Sequence, residues 1–520
     1  MPDNQLGRIQ HIVVVMLENR SFDNLLGWLY DPANPAPFNQ KPPDNFEGVY
    51  GKDLSNPTSD GRSIPVGKGN NLTAPYPDPG EPYQDVYAQI YGQKQTDYAN
   101  GVPVVPDVAC NMGGFVYNYE LRNQGNLANA ATIMNCFTPS SVPVLSSLAY
   151  YYGVCDHWFS SIPTQTICNR SYVHAGTSSG YVNNDGNNGI LFVNNSPTIF
   201  NLLSNANKTW KVYCGGWTIT GLVLLTQQQT WQYALQGDHF GGHISDFLSD
   251  AARPGGLPAY SFIEPNYIDS LIYGPENDMH PESHKVQLYG LSNVERSEQL
   301  LYKLYSAIRS SPDWDKILFL ILFDEHGGCY DHACPPTSKT CDFAISPDKV
   351  VIPPSQPGGT GFNFDRLGVR VPAIVISAYT PQQTIVNTVF DHTSAISTIV
   401  KCFGLPNGKL GLRQAKSPDV GEALTLANPR QDFPQIPAAP TEEISLVQRT
   451  MAARKALLQA NSKPLSDLQL TLAKGISQRL NIPVPEQDLK KEFATAVSAE
   501  ALFVKAQAEF AARRAINRLW

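Results

Sequence analysis

Two uninterrupted apolar runs dominate the hydrophobic pattern, and each ends in oxygen-bearing polar residues. The first, His11-Ile12-Val13-Val14-Val15-Met16-Leu17, leads into Glu18-Asn19. The second, Ile317-Leu318-Phe319-Leu320-Ile321-Leu322-Phe323, leads into Asp324-Glu325-His326-Gly327-Gly328. A strand with one wetted face alternates apolar and polar residues. These runs do not, so they predict strands buried on both faces, as in a parallel sheet covered by helices. Apolar runs near 144–154, 211–213, 259–263 and 369–377 predict further strands. A short helix is expected over 21–29. Leu300, Leu301, Leu304 and Ile308 give 298–309 a helical period. Strands alternating with helical segments predict an α/β fold, and in open α/β sheets ligands gather beyond the carboxyl ends of the strands.

Between these elements, residues 31–110 are rich in Pro, Gly, Asn and Asp and read as long functional loops. Residues 1–410 read as one large domain. Residues 411–440, with Pro418, Pro429, Pro434, Pro437 and Pro440, read as a linker along the surface. Residues 441–520 read as a helical appendage, with helices expected over 442–460, 465–480 and 487–518 between Pro464, Pro483 and Pro485. Phe493, Val497, Phe503, Val504 and Phe510 mark an apolar face in the last of these. The tail carries twelve Lys and Arg against eight Asp and Glu, a balance compatible with peripheral contact at an anionic membrane. Packing against the main domain is the plainer expectation.

A chain of 520 residues can bury a large core. Its net charge of −8 and pI near 5.7 argue against nucleic acid as the main ligand. No apolar run approaches the roughly 18–20 residues of a membrane span. The N-terminus lacks the basic, apolar and small-residue regions of a secretory signal, so a cytoplasmic protein is expected. Secretion or periplasmic export, through a removed signal or a signal-independent route, is the alternative. Nine cysteines do not demand a disulfide framework. Cys329, Cys334 and Cys341 are close enough in sequence for a local bridge, and free thiols fit as well.

The chemistry sits where the pattern breaks. Near Thr166 a strand ending around Val154 passes through a polar turn into a helix expected to begin around Asn169. A hydroxyl there lies near a helix N-terminus, where backbone N–H groups and the dipole favour anions such as phosphate. A helix cap is the structural alternative for Thr166. Glu18, Asn19, Asp324 and Glu325 offer only oxygen ligands, which suit Mg²⁺, Ca²⁺ or Mn²⁺, and zinc also accepts carboxylates. A turn after the first strand and a surface loop after the second are the alternatives. His280, His284, His326, His332 and His392 all lie in polar company with Asp, Glu or Gly, as phosphate clamps and a proton donor would.

Six strings in order, HIVVVMLENRSFDNLLG, CDHWFSSIPTQTICNRSYVHAGTSSG, NDMHPESH, LFDEHGGCYDH, LGVRVPAIVIS and FDHTSAI, resemble the bacterial phosphoesterase family. That family joins zinc-independent phospholipases C with an acid phosphatase. The resemblance runs from about residue 8 to about residue 405 and leaves the tail outside. It implies an alkaline-phosphatase-like fold, a central mostly parallel sheet flanked by helices with long loop insertions. It implies one divalent metal ion (Ca, Mg, Mn or Zn) held by Glu18, Asn19, Thr166, Asp324 and Glu325. Thr166 matches the hydroxyl nucleophile, His280 a phosphate-site histidine, and His326 and His332 the Asp-Glu-His-Gly-Gly block. Thr166, His280 and His326 are therefore the catalytic candidates. Asn19, His280, His284 and His332 are the candidates for binding substrate phosphate. There are departures. Pro79-Gly80-Glu81 stands where many members have Pro-Gly-His, and Glu81 receives no role. Cys168 replaces the usual Pro before Asn169-Arg170, and one extra residue shifts the alignment of His284.

The activity implied is a metal-dependent phospholipase C that cuts phosphatidylcholine-like diesters through a covalent phosphothreonine. A broad acid phosphatase is the alternative, with phospholipid or phosphate ester as partner in the two cases. A non-catalytic binding protein on the same fold is disfavoured by the intact Glu18-Asn19, Thr166 and Asp324-Glu325 set, and sulfatase chemistry by the residues flanking Cys168. Trp210, Trp217, Trp231 and Phe240 form either an apolar wall for lipid or ordinary packing. Oligomeric state is left open.

Overall fold

The computed structural model describes residues 4–92, 98–99, 102–103, 109–184, 194–218, 221–234, 238–270, 273–281, 291–345, 362–438, 504–508 and 510. Its centre is an eight-stranded sheet. From one edge the strands run Gly242–His243, Trp210–Cys214, Tyr260–Glu264, His11–Leu17, Ile317–Phe323, Ala373–Ser377, Gly153–Cys155 and Thr384–Val386. All neighbours pair in parallel except at Ala373–Ser377, which runs against both of its partners. The two long apolar runs are the central strands, and every residue of both is buried. Helices flank the sheet, so neither face of these strands meets water. The architecture is the mostly parallel, helix-flanked α/β sheet expected from the pattern.

Helix Val294–Arg309 buries Leu300, Leu301, Leu304 and Ile308. Each such burial contributes roughly 1.5–3 kcal/mol. The helix packs beside Pro143–Tyr151, and Glu298 accepts hydrogen bonds from the Val144 and Leu145 N–H groups at the start of that neighbour. The strand expected over 144–154 is therefore corrected: Pro143 opens a helix that runs to Tyr151, and only Gly153–Cys155 is strand. Val144, Leu145 and Leu148 recur at helical spacing, and Pro is favoured in a first helical turn.

The loop-rich stretch after residue 31 also holds helix Tyr83–Tyr91 and the short strands Ser55–Pro57, Ser63–Pro65 and Gly67–Gly69. The local cysteine bridge is corrected too. Cys334 is bonded to Cys110, 224 residues away, while Cys329 and Cys341 are free and buried. Sequence spacing has no bearing on a partner brought from a distant loop.

Within 411–438 the chain is anchored at several points. Leu412–Lys416 and Val420–Ala423 form short helical turns, and the Arg413 guanidinium is buried against Asp391. Of the tail, 504–508 and 510 are described. They are helical, with Ala506 and Phe510 buried in the main core and Phe510 against Trp231. The helices expected over 442–460 and 465–480, with Phe493, Val497 and Phe503, lie outside the described residues. Trp210 packs among Phe200, Tyr233, His239 and Phe240. It and Phe240 are buried core residues, so they do not form a wall for lipid.

Candidate active site

The register of the two central strands assembles the site. Leu17 pairs with Phe323, so Glu18 and Asp324 leave the sheet side by side. Asn19 takes a left-handed conformation, φ 55°, which Asn tolerates better than most residues. Its N–H donates to Asp324 Oδ1 at 3.0 Å, and the Glu325 N–H donates to the same oxygen at 2.7 Å. The loop then turns at Gly327, φ 60°, whose N–H donates to Glu325 Oε2 at 2.7 Å. A Cβ at this glycine would stand 2.3 Å from the Asn19 carbonyl oxygen, so the two strand-end loops touch only because position 327 has no side chain.

The third element is helix Thr166–Ala175, which begins three residues earlier than expected. Gln165 is its cap and Thr166 its first residue, so the hydroxyl is not needed for capping. Asn169 fixes the incoming turn, with its side-chain amide donating to the Thr164 carbonyl at 2.7 Å and its Oδ1 accepting from the Ile162 N–H at 3.0 Å. Thr166 Oγ1 donates to Glu18 Oε2 at 3.3 Å, and Asn19 Oδ1 lies 3.5 Å away. Arg170 follows one turn later on the same helix face. Its guanidinium pairs with Glu18 Oε1, reaches Asp324 Oδ2 at 3.5 Å and donates to the Met16 carbonyl at 3.0 Å. Burial pushes the Glu18 and Glu325 carboxyls well above the ordinary range, with neighbouring carboxylates adding to the rise.

The histidines separate. His280 Nε2 lies 3.0 Å from Asn19 Nδ2 and 3.5 Å from Glu81 Oε1, and Nδ1 donates to the Pro281 carbonyl at 2.5 Å. Burial opposes its charged form, but Asp78, Glu81 and Asp278 outweigh that and hold it well above the usual histidine value. His326 is fully buried, with Nε2 on Gln89 Oε1 at 2.7 Å and Nδ1 3.3 Å from Glu325 Oε2. Burial pushes it down to about 3, so it is a neutral ring that orients Glu325 rather than a proton donor.

His332, expected at the phosphate, has both nitrogens engaged elsewhere, with Nδ1 at 2.5 Å from Asp23 and Nε2 at 2.9 Å from Glu47. It belongs to a separate network in which Arg370 pairs with Asp23 and Asp331. His392 Nε2 donates to the Asp324 carbonyl at 2.6 Å and holds that loop from behind. His284 lies outside the described residues.

The structure thus brings together Glu18, Asn19, Thr166, Asp324, Glu325 and His280, with His326 in support. Reasoning from sequence missed Arg170, Asp78, Glu81, Asp278 and Gln89. Arg170 had a signal, its spacing of four from Thr166 within one helix. Asp78, Glu81 and Asp278 lie on loops and Gln89 on helix Tyr83–Tyr91, and these segments converge only in three dimensions. The donor set suits a hard divalent cation: Glu18, Asn19, Thr166 and Asp324 present oxygens to one another, and Glu325 Oε1 is buried without a hydrogen-bond partner among the described residues.

The profile described as the phosphoesterase family matches residues 9–406. Non-specific phospholipase C4 of Arabidopsis thaliana is 33% identical over 463 residues, which cover 86% of this chain and 77% of that protein. Non-specific phospholipase C3 of the same plant is 33% identical over 439 residues, covering 82% and 75%. Among bacterial relatives, phospholipase C B of Mycobacterium tuberculosis is 26% identical over 469 residues, covering 83% and 82%.

Proposed function

Since the chain belongs to the phosphoesterase family and is a hydrolase of phosphoric ester bonds, we propose that it is a metal-dependent phospholipase C acting on phosphatidylcholine-like diesters. The observation that carries the reading is Thr166 itself: a hydroxyl at a helix entrance, 3.3 Å from Glu18 and 3.5 Å from Asn19, with Arg170 one turn behind. The named activities of the plant and bacterial relatives support a lipid diester as the substrate class.

Glu18, Asn19, Thr166, Asp324 and Glu325 would hold one divalent cation, which when bound neutralises charge on the phosphoryl oxygens and favours the ionised hydroxyl. Thr166 Oγ1 attacks phosphorus, and its proton departs on the side of Glu18 Oε2, where its hydrogen bond already points. The bond from phosphorus to the diacylglycerol oxygen breaks, and that oxygen takes up a proton. The product on the protein is a phosphothreonine carrying the headgroup. Water hydrolyses it, releasing the phosphorylated headgroup and restoring Thr166. Asn19, positioned by Asp324 and His280, orients the phosphate, while His326 and Gln89 hold Glu325 in place. Electrostatic stabilisation in a dry site supplies most of the acceleration. The Cys110–Cys334 disulfide supports an oxidising compartment, and with it export.

The test is a parallel assay of a phosphocholine diester and a phosphomonoester across pH, with and without chelator. Diester turnover that the chelator abolishes and a divalent cation restores is expected. Turnover confined to the monoester replaces the reading with an acid phosphatase, and turnover of neither removes phosphoryl transfer altogether.

A further inference from the structure

We propose that the first half of helix Val294–Arg309 lines a second, non-catalytic site for a phosphate group, on the face of the sheet turned away from helix Thr166–Ala175. The ligand is a small phosphate ester, either free or carried at the head of a lipid. A cavity of ≈ 270 Å³ opens there, near the lower end of the roughly 300–1,000 Å³ of small-molecule sites. That room suits a phosphorylated headgroup and leaves acyl chains outside. Arg296, Gln299 and Lys303 recur at helical spacing, so one face of the helix forms one wall. Residues 273–275 and Asn277 form a second, and Gly215 and Ile244 complete it.

The donors are positioned for an anion. Asn277 is pinned to Asn266 by two bonds: its Oδ1 accepts from the Asn266 N–H at 2.7 Å, and its own N–H donates to the Asn266 carbonyl at 2.9 Å. Asn266 Nδ2 donates in turn to the Gly274 and Pro275 carbonyls at 3.2 and 2.9 Å, which ties the wall around Tyr273 to Asn277. With Oδ1 engaged, Asn277 Nδ2 is a donor without a partner among the described residues. Lys303 likewise makes no ion pair or hydrogen bond among them, and no carboxylate lines the cavity. In a chain of net charge −8, a cavity with Lys303, the buried Arg296 and no acid is a local positive site. Lys303 Nζ and Asn277 Nδ2 offer phosphate oxygens a charge-assisted bond and a neutral one. Tyr273, stacked on His243 at 5.1 Å and edge-on to Trp217 at 4.8 Å, joins Ile244 and Leu300 as an apolar flank for the carbon part of the ester.

Topology separates this cavity from the site at Thr166. Helix Thr166–Ala175 lies on the connection from Gly153–Cys155 to Trp210–Cys214, which crosses the sheet in one direction. Helix Val294–Arg309 lies on the connection from Tyr260–Glu264 to Ile317–Phe323, which crosses in the other. Right-handed crossovers in opposite directions place their helices on opposite faces. The packing agrees: Val294–Arg309 lies against Pro143–Tyr151 and Ile244–Ala251, whereas Thr166–Ala175 lies against Ile199–Asn205, Leu222–Thr226 and His392–Cys402. Both sites nevertheless share the carboxyl edge of the sheet. Gly215 follows strand Trp210–Cys214, two strands and so roughly 10 Å from the strand that ends at Glu18. A lipid headgroup held in the cavity would keep that edge, and Thr166 with it, at the lipid surface.

The experiment uses the full chain. Crystals soaked in tungstate, a heavy analogue of phosphate, should show an anomalous peak between Lys303 Nζ and Asn277 Nδ2, and crystals of Lys303→Glu should lack it. In solution, calorimetric titration with orthophosphate should show that binding event weakened at least about tenfold in Lys303→Glu. Hydrolysis of a soluble diester should stay within about twofold, because Lys303 is exposed and lies outside the Thr166 site. Asn277→Asp keeps the oxygen that Asn266 uses and replaces the donor with a negative charge, so it should lose orthophosphate in the same way. Circular dichroism checks both folds, and Lys303→Glu decides alone if Asn277→Asp does not fold. Flotation with phosphatidic acid vesicles on ice separates the two sources. Lost flotation in Lys303→Glu assigns the site to a lipid headgroup, and unchanged flotation with lost orthophosphate binding assigns it to a free phosphate ester. Tungstate at Thr166 alone, or equal orthophosphate isotherms in wild type and Lys303→Glu, overturns the proposal and leaves the reading of Thr166 standing.

Discussion

Thr166 and Arg170, one helical turn apart, share a single carboxylate: the Thr166 hydroxyl donates to Oε2 of Glu18 at 3.3 Å, while the Arg170 guanidinium pairs with Oε1. The helix thus carries the candidate nucleophile and the counter-charge for the acid beside it.

Replacing Arg170 by alanine leaves Glu18 and Asp324 buried without their cation. Breaking a buried pair in this way costs about 3–5 kcal/mol. Urea unfolding in chelator should show a loss of that size for Arg170→Ala, and an unchanged midpoint would mean that the pair does not support the fold.

Thr166→Ala removes the attacking oxygen and little else, because Gln165 and not Thr166 caps the helix. Turnover should fall to background while stability changes by less than about 1 kcal/mol. Thr166→Ser should keep measurable activity. In wild-type protein quenched during turnover, a headgroup phosphate should be found on the Thr166 peptide by mass spectrometry. An active Thr166→Ala enzyme is incompatible with this mechanism.

The His332 network makes stability depend on pH. Burial opposes the imidazolium, but Asp23 outweighs it, so the folded value lies above the unfolded value of about 6.5. The stability it contributes is complete below about pH 6.5 and is lost as pH rises through the folded value. Asp23 behaves oppositely. Burial raises its carboxyl, His332 and Arg370 lower it further, and its contribution is present above about pH 3.9 and lost as pH falls through the depressed value. The pair therefore stabilises most between about pH 4 and 6.5. Melting temperature should decline on the alkaline side of that window, and His332→Gln should flatten the decline. An identical alkaline slope in the variant would assign it to other groups.

The Cys110–Cys334 bond closes a loop of 224 residues, so its removal frees much unfolded-state entropy. Cys110→Ser should lower stability by about 2–4 kcal/mol. Denaturant melts with and without reductant should show that the wild type loses this increment and the variant has none to lose.

The sequence placed the chemistry well where one residue sits at the end of a strongly patterned element. Glu18 and Asp324 follow apolar runs with no wetted face, and such runs have few other stable settings than a covered sheet. Thr166 lies at a helix entrance as expected, although the helix starts three residues earlier. Legibility ended where a local pattern admits two periods. Val144, Leu145 and Leu148 read equally as strand until Pro143 is seen to open a helix.

Residue type and local spacing alone determined the buried central strands, the oxygen-rich strand ends and the polar turn at Thr166. The tertiary structure alone decided what these meet. Parallel register set Leu17 opposite Phe323 and thereby joined acids three hundred positions apart. The same fold made histidines of one loop unlike each other, since burial pushes His326 down while Asp23, against the effect of burial, raises His332. It also carried Glu81 to His280 and Cys110 to Cys334. Ionisation, ion pairing and disulfide partnership depend on distance in space and on the dielectric around a group, and neither is written in the local order of residues.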